Sequence, residues 1–214
     1  MSKSYLLFLF YPLYLLMLCA LGVCAAGGMQ MGACAASLCL LWLSVAMEED
    51  YAPVCAGVRQ RYLAALLLRG ASMLPLLFSF YRQYAHLGVE NNVVLQSAMV
   101  IMLFMHLAFY LPLIAFNKRQ PLLLRALRGV LGVLPALTVS AAIAAVFALA
   151  GRLDGMLAGA TLGALGVLLA FVGDLTAAIT TLGGIRLKGQ DFYLVLFTTA
   201  GYLLMIAGAW LMAA

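Results

Sequence analysis

"GMLAGATLGALGVLLAFVGDLTAAITTL", residues 155–182, decides the fold class. Its only charged residue is Asp174, which has no charged neighbour within eleven residues on either side. A helix crosses the hydrocarbon core of a bilayer with about 20 apolar residues, and this stretch is longer than that. A membrane β-barrel would show short alternating segments instead.

The same pattern extends outward. Tyr5 to Met47 contains no charged residue. Two thirds of the 214 residues are apolar and 9% are charged, where a soluble domain carries about a quarter. The chain therefore reads as an all-α polytopic membrane helical bundle, one integral membrane domain over residues 1–214. Helices are expected at about 5–25, 30–47, 62–80, 93–116, 129–150, 155–182 and 192–212. The first is read as a retained helix: its apolar body outlasts a signal peptide's core, and "CAAGGMQ" is a poor export cleavage site. No long soluble domain separates the helices, so any soluble activity must come from a partner.

The basic residues give the orientation. With the N-terminus cytoplasmic, Lys3, Arg59, Arg61, Lys118, Arg119, Arg125, Arg128, Arg186 and Lys188 fall on the cytoplasmic side. Only Arg82 and Arg152 fall opposite, and Arg69 lies within a helix. That asymmetry is the positive-inside pattern, here of a multi-pass prokaryotic inner-membrane protein. It predicts seven transmembrane helices, or six if 155–182 or the turn before it is re-entrant. The formal charge of +5 then marks topology, and no nucleic-acid partner is implied.

On this reading Arg69 and Asp174 are the only intramembrane charges. Arg69 is seven residues in from Tyr62, and Asp174 is eight from Leu182. Both lie roughly 10–12 Å inside the same face. An unpaired charge at that depth costs several kcal/mol, so a salt bridge between the two helices is expected. It serves either packing or a substrate- or ion-linked carboxylate. Gly155, Gly159, Gly163, Gly166 and Gly173 give that helix a small surface for close approach. Gly163 and Asp174, eleven residues apart, share a face, so Asp174 is expected to point at protein.

His106 sits near mid-depth, where an imidazole can relay a proton or simply bond across a helix interface. Thr176 and Thr180 either satisfy backbone carbonyls or line a path. Pro75 and Pro112 are expected to kink their helices, favouring a cavity among helices 62–80, 93–116 and 155–182. Cys24 and Cys34 are symmetric about Met29 and stand either as a disulfide or as small apolar packing. The sequence has no HExxH, GxSxG, DDxxD, CxxC or nucleotide-binding motif, and no metal or cofactor is expected.

The basic loop "NKRQPLLLRALRG", 117–129, reads as the best partner surface, with Lys118, Arg119, Arg125 and Arg128 facing anionic lipid or a cytoplasmic subunit. The stretches "MEEDYAPVCAGVRQRYL", 47–63, "FYLPLIAFNKRQPLLLRALR", 109–128, and "GGIRLKGQDF", 183–192, resemble the permease subunits of ABC-2 type exporters. The resemblance implies a separate cytoplasmic ATPase at these loops and pairing of two copies to form the path. The chain departs from that family in its seventh helix, and in reading "APVCAG" where the family carries an "SLP"-like element. The reading is a transport protein, a permease or the membrane subunit of an exporter. Two alternatives are an intramembrane enzyme on a lipid or isoprenoid-like substrate, with Asp174 and His106 as acid and base, and a structural or accessory subunit.

Overall fold

A computed structural model of the chain describes residues 15–17, 19–20, 28–49, 58–86, 93–116, 122–150, 155–181 and 190–213. Among these the regular structure is entirely α-helical. Long continuous apolar runs in lipid fold this way because a helix satisfies every backbone polar group within its own segment, whereas a barrel needs short alternating strands. The helices are α1 (Met29–Glu49), α2 (Val58–Ala71), α3 (Met73–His86), α4 (Val93–Phe116), α5 (Leu122–Leu131), α6 (Val133–Leu149), α7 (Gly155–Thr181) and α8 (Gln190–Ala213). Five stretches are long and apolar enough to cross a membrane: Leu63–Ala85, Val93–Ala115, Leu122–Leu149, Met156–Ile179 and Phe192–Met212. The protein is thus a multi-pass membrane protein. Most of the expected first helix lies outside the described residues, although Leu15 and Cys19 are helical and join the buried core.

Two spans are built from a pair of helices in line. The first breaks at Ser72, three residues before Pro75, and the second at Gly132, three residues before Pro135. A proline ring clashes with the carbonyl four residues back and donates no hydrogen bond, which opens the ladder just ahead of it. At each break a side chain takes the carbonyl three residues earlier. Ser72 Oγ donates to Arg69 O at 2.7 Å, and His106 Nε2 lies 2.8 Å from Gly129 O. Pro112 behaves differently: α4 runs through it unbroken, so the expected kink there is absent as a break. The span expected from 129 begins at Leu122, which draws Arg125 and Arg128 into the helix.

Helix α6 is the hub and packs on α3, α4 and α7. Its sequence "VLPALTVSAAIAAVFAL" explains this, because small side chains on several faces admit several neighbours. Ala136, Val139, Ala142, Ala144 and Ala145 are buried, and the Ser140 hydroxyl reaches the Ala98 carbonyl of α4 at 3.2 Å. Helix α1 lies antiparallel to the whole α2–α3 span. Ser44 Oγ donates to Ala65 O at one end, and Gln30 Nε2 to Gln83 Oε1 at the other.

Helices α7 and α8 form the tightest pair. A Cβ at Gly201 would lie 2.6 Å from Gly166 O, and one at Gly208 2.5 Å from Gly159 O. Gly159, Gly166 and Gly173, seven residues apart, all face α8. A Cβ at Gly163 would point at Phe80 of α3, while its backbone lies against Gly208 of α8. The small surface read from the sequence therefore serves two neighbours. Cys34, whose spacing suggested a bond to Cys24, carries a free thiol buried in the core. A small apolar side chain there fills space between helices, and Cys24 lies outside the described residues.

Candidate functional site

Asp174 is the centre of the site. It sits on the α7 face shared with Gly163, and both turn toward the α2–α3 span, Gly163 at Phe80 and Asp174 at Arg69. Arg69 Nε donates to Asp174 Oδ1 at 2.8 Å, the expected salt bridge. A second guanidinium shares that oxygen, with Arg128 Nη2 donating at 3.2 Å. The other oxygen, Oδ2, accepts from Tyr110 Oη at 3.1 Å. All four side chains are well buried: 12% of the Arg69 side chain is exposed, 11% of Asp174 and 4% of Arg128, and Tyr110 is 1% exposed as a residue.

Each partner arrives by a structural device. Arg69 occupies the last turn of α2 and Arg128 the last turn of α5, so each stands just ahead of a helix break. Gly70 lets Leu131 of α5 come close, since a Cβ there would be 2.7 Å from Leu131 Cδ2. Gly132 does the same for α4, where a Cβ would meet His106 Cε1 at 2.6 Å and Tyr110 at 2.9 Å. The three spans carrying Arg69, Arg128 and Tyr110 therefore close around Asp174 because glycines sit at their crossings.

His106 lies behind this cluster. Its ring lies 4.2 Å from the Tyr110 ring at a tilt of 31°, four residues on and hence on the same helix face. A backbone carbonyl can only accept, so Nε2 carries the proton given to Gly129 O. Nδ1 is then a buried acceptor, with no partner among the described residues. Tyr110 thus touches His106 with its ring and Asp174 with its hydroxyl.

A cavity of about 30 Å³, about the volume of one water molecule, opens beside the cluster. Arg69, Arg128, Asp174, Thr198 and Tyr202 supply its polar lining, and Gly70 and Gly132 its closest backbone. No residue of α4 lines it, so it differs from the expected cavity of helices 62–80, 93–116 and 155–182. The Tyr202 hydroxyl is fixed by a 2.6 Å hydrogen bond with Ser37 of α1.

The other sequence candidates are placed as follows. Thr176 Oγ1 donates to Val172 O at 2.9 Å and so satisfies its own helix. Thr180 is in α7, with its side chain outside the described residues, as are Lys118 and Arg119 entirely. Arg125 turns back to the Ile114 carbonyl, where a cation suits the C-terminal end of α4. Arg128 leaves the basic loop surface altogether. The expectation that Arg69 and Asp174 are the sole intramembrane charges is corrected by Arg128, which the early start of α5 carries inside. Sequence reasoning did not single out Tyr110, and it placed Arg128 on the basic loop surface instead of at Asp174. One signal for Arg128 was available: "LRGASMLP", 68–75, and "LRGVLGVLP", 127–135, share an LRG before an LP.

A scan against protein-family models, a search of curated proteins and a search of solved structures each return no match for this chain.

Proposed function

We propose that this chain is a membrane transport protein, a permease or the membrane subunit of an exporter, in which Asp174, Arg69 and Arg128 form a latch between moving helices. One observation carries the reading: a single buried carboxylate holds two guanidiniums that come from two separately broken spans. Interrupted helices are where membrane proteins build binding and gating sites, because a break supplies both a pivot and free backbone polar groups. Loss of either arginine contact lets its segment pivot at Ser72 or Gly132 and widens the cavity lined by Thr198 and Tyr202. In the exporter form of this reading a separate cytoplasmic ATPase drives the pivot.

The test is sided access to the cavity. A Thr198→Cys variant is treated with membrane-impermeant maleimide from either face, and the labelled residue is mapped by mass spectrometry. Alternating access predicts modification of position 198 from each face in turn, at a rate that Asp174→Asn raises. Protection from both faces, with and without Asp174→Asn, would sink the latch.

A second reading, a structural or accessory subunit, is favoured by the backbone-to-backbone packing of α7 on α8 and by the small volume, about 30 Å³, of the cavity at Asp174. It predicts that protected outcome.

A further inference from the structure

At the end of the bundle remote from Asp174, four methionines surround an open cavity. Met29 and Met31 come from α1, Met156 from α7 and Met212 from α8, with Gln30 and Gln83 completing the polar wall. Met156 is eighteen residues before Asp174, about 27 Å along α7, so this is a separate place. The cavity volume is about 280 Å³. Met31 is buried at 1% exposure and forms the floor, whereas Met29 and Met156 are each 42% exposed at the mouth.

Methionine commonly fills irregular gaps in a core. Here the side chains line a void instead of filling it. Two sulfurs are also located by polar neighbours: Gln83 Nε2 donates to Met212 Sδ at 2.8 Å and Arg82 Nη1 to Met29 Sδ at 3.1 Å. Gln30 in turn holds Gln83 at 2.9 Å. Two of the thioethers that line this cavity, one from α1 and one from α8, are thus held in place by hydrogen bonds to their sulfurs.

We propose that this cluster is a binding site for a soft monovalent cation of the Cu(I) or Ag(I) kind, ligated by the thioethers of Met29, Met156 and Met212, with Met31 as the inner donor. Thioethers are neutral and soft. They select Cu(I) over the hard dications, which require several oxygen ligands. A ligand set without charge also suits a monovalent ion, which brings less charge into a partly buried site. Arg82 is exposed, and ion binding at Met29 Sδ requires it to give up that hydrogen bond. Thioethers do not titrate, so binding persists at a pH where cysteine thiols are protonated and compete poorly.

The experiment is an anaerobic Cu(I) titration of the full chain in detergent micelles at pH 5.5, against a chromophoric Cu(I) chelator. The comparison is a Met29→Leu, Met156→Leu, Met212→Leu triple variant. Leucine conserves volume, so the metal-free melting temperature should hold. Wild type is expected to bind one more equivalent than the triple variant, and Met156→Leu alone to weaken that equivalent by about tenfold or more. Arg82→Ala should tighten it by removing a like charge. Equal equivalents in wild type and triple variant would overturn the site. So would X-ray absorption showing the extra copper bound by nitrogen and oxygen alone. If the triple variant does not fold, Met29→Leu and Met156→Leu singly, at exposed positions, carry the same comparison. The outcome is independent of the latch, because no cavity residue near Asp174 is altered.

Discussion

The buried polar cluster of this protein centres on one carboxylate whose two oxygens are both engaged. Oδ1 serves two guanidiniums and Oδ2 a phenol. Removing one partner of a buried charge network leaves the others uncompensated, typically at about 3–5 kcal/mol. Asp174→Asn should therefore lower the unfolding midpoint in detergent sharply. Tyr110→Phe, which removes one hydrogen bond to a charged acceptor, should cost about 1.5–3 kcal/mol. If Asp174→Asn left the midpoint unchanged, the cluster would not hold the helices together. Asp174 and Arg69 were legible as a pair because topology set them at one depth. Arg128 was not, because a leucine-rich basic stretch reads equally well as an interfacial loop or as the first turns of a span.

Helices in this bundle owe their positions more to missing side chains than to large ones. Gly201 and Gly166 meet backbone to backbone, where no side-chain rotamer can relieve a clash. Gly201→Ala should cost about 1–3 kcal/mol by overpacking and force α7 from α8. Gly32→Ala, whose Cβ would meet nothing within 4 Å among the described residues, should be neutral or mildly stabilising in the same thermal assay. Equal midpoints for the two variants would show that close α7–α8 contact is not needed. Glycine spacing in α7 was visible in the sequence, but not that Gly159, Gly166 and Gly173 face α8 while Gly163 meets both Phe80 of α3 and Gly208 of α8. Phase along one helix says which residues share a stripe and is silent on which neighbour meets it. Proline position was likewise ambiguous: Pro75 and Pro135 stand just beyond breaks, while α4 continues through Pro112.

Across the whole molecule, apolar faces turned outward meet lipid. Val100, Ile101, Phe104 and Leu111 of α4 are exposed, and mixed small residues at α6 meet three helices. The distribution of Lys and Arg predicts seven spans with a cytoplasmic N-terminus. A periplasm-active reporter fused after Ala214 should then be active and a cytoplasm-active one silent. The reverse result would give six spans with both ends inside.

Composition and run length by themselves determined that this is a helical membrane protein, because lipid admits no other use for such sequence. The depth of Asp174 and Arg69, and hence their pairing, also followed from the chain alone. Only the tertiary structure decided that Arg128 and Tyr110 join them, that His106 serves the carbonyl at the Gly132 break, and that four methionines line one cavity. Those facts depend on which helices become neighbours. That choice is set by glycine contacts and broken helices between segments far apart in sequence, where no local pattern reaches.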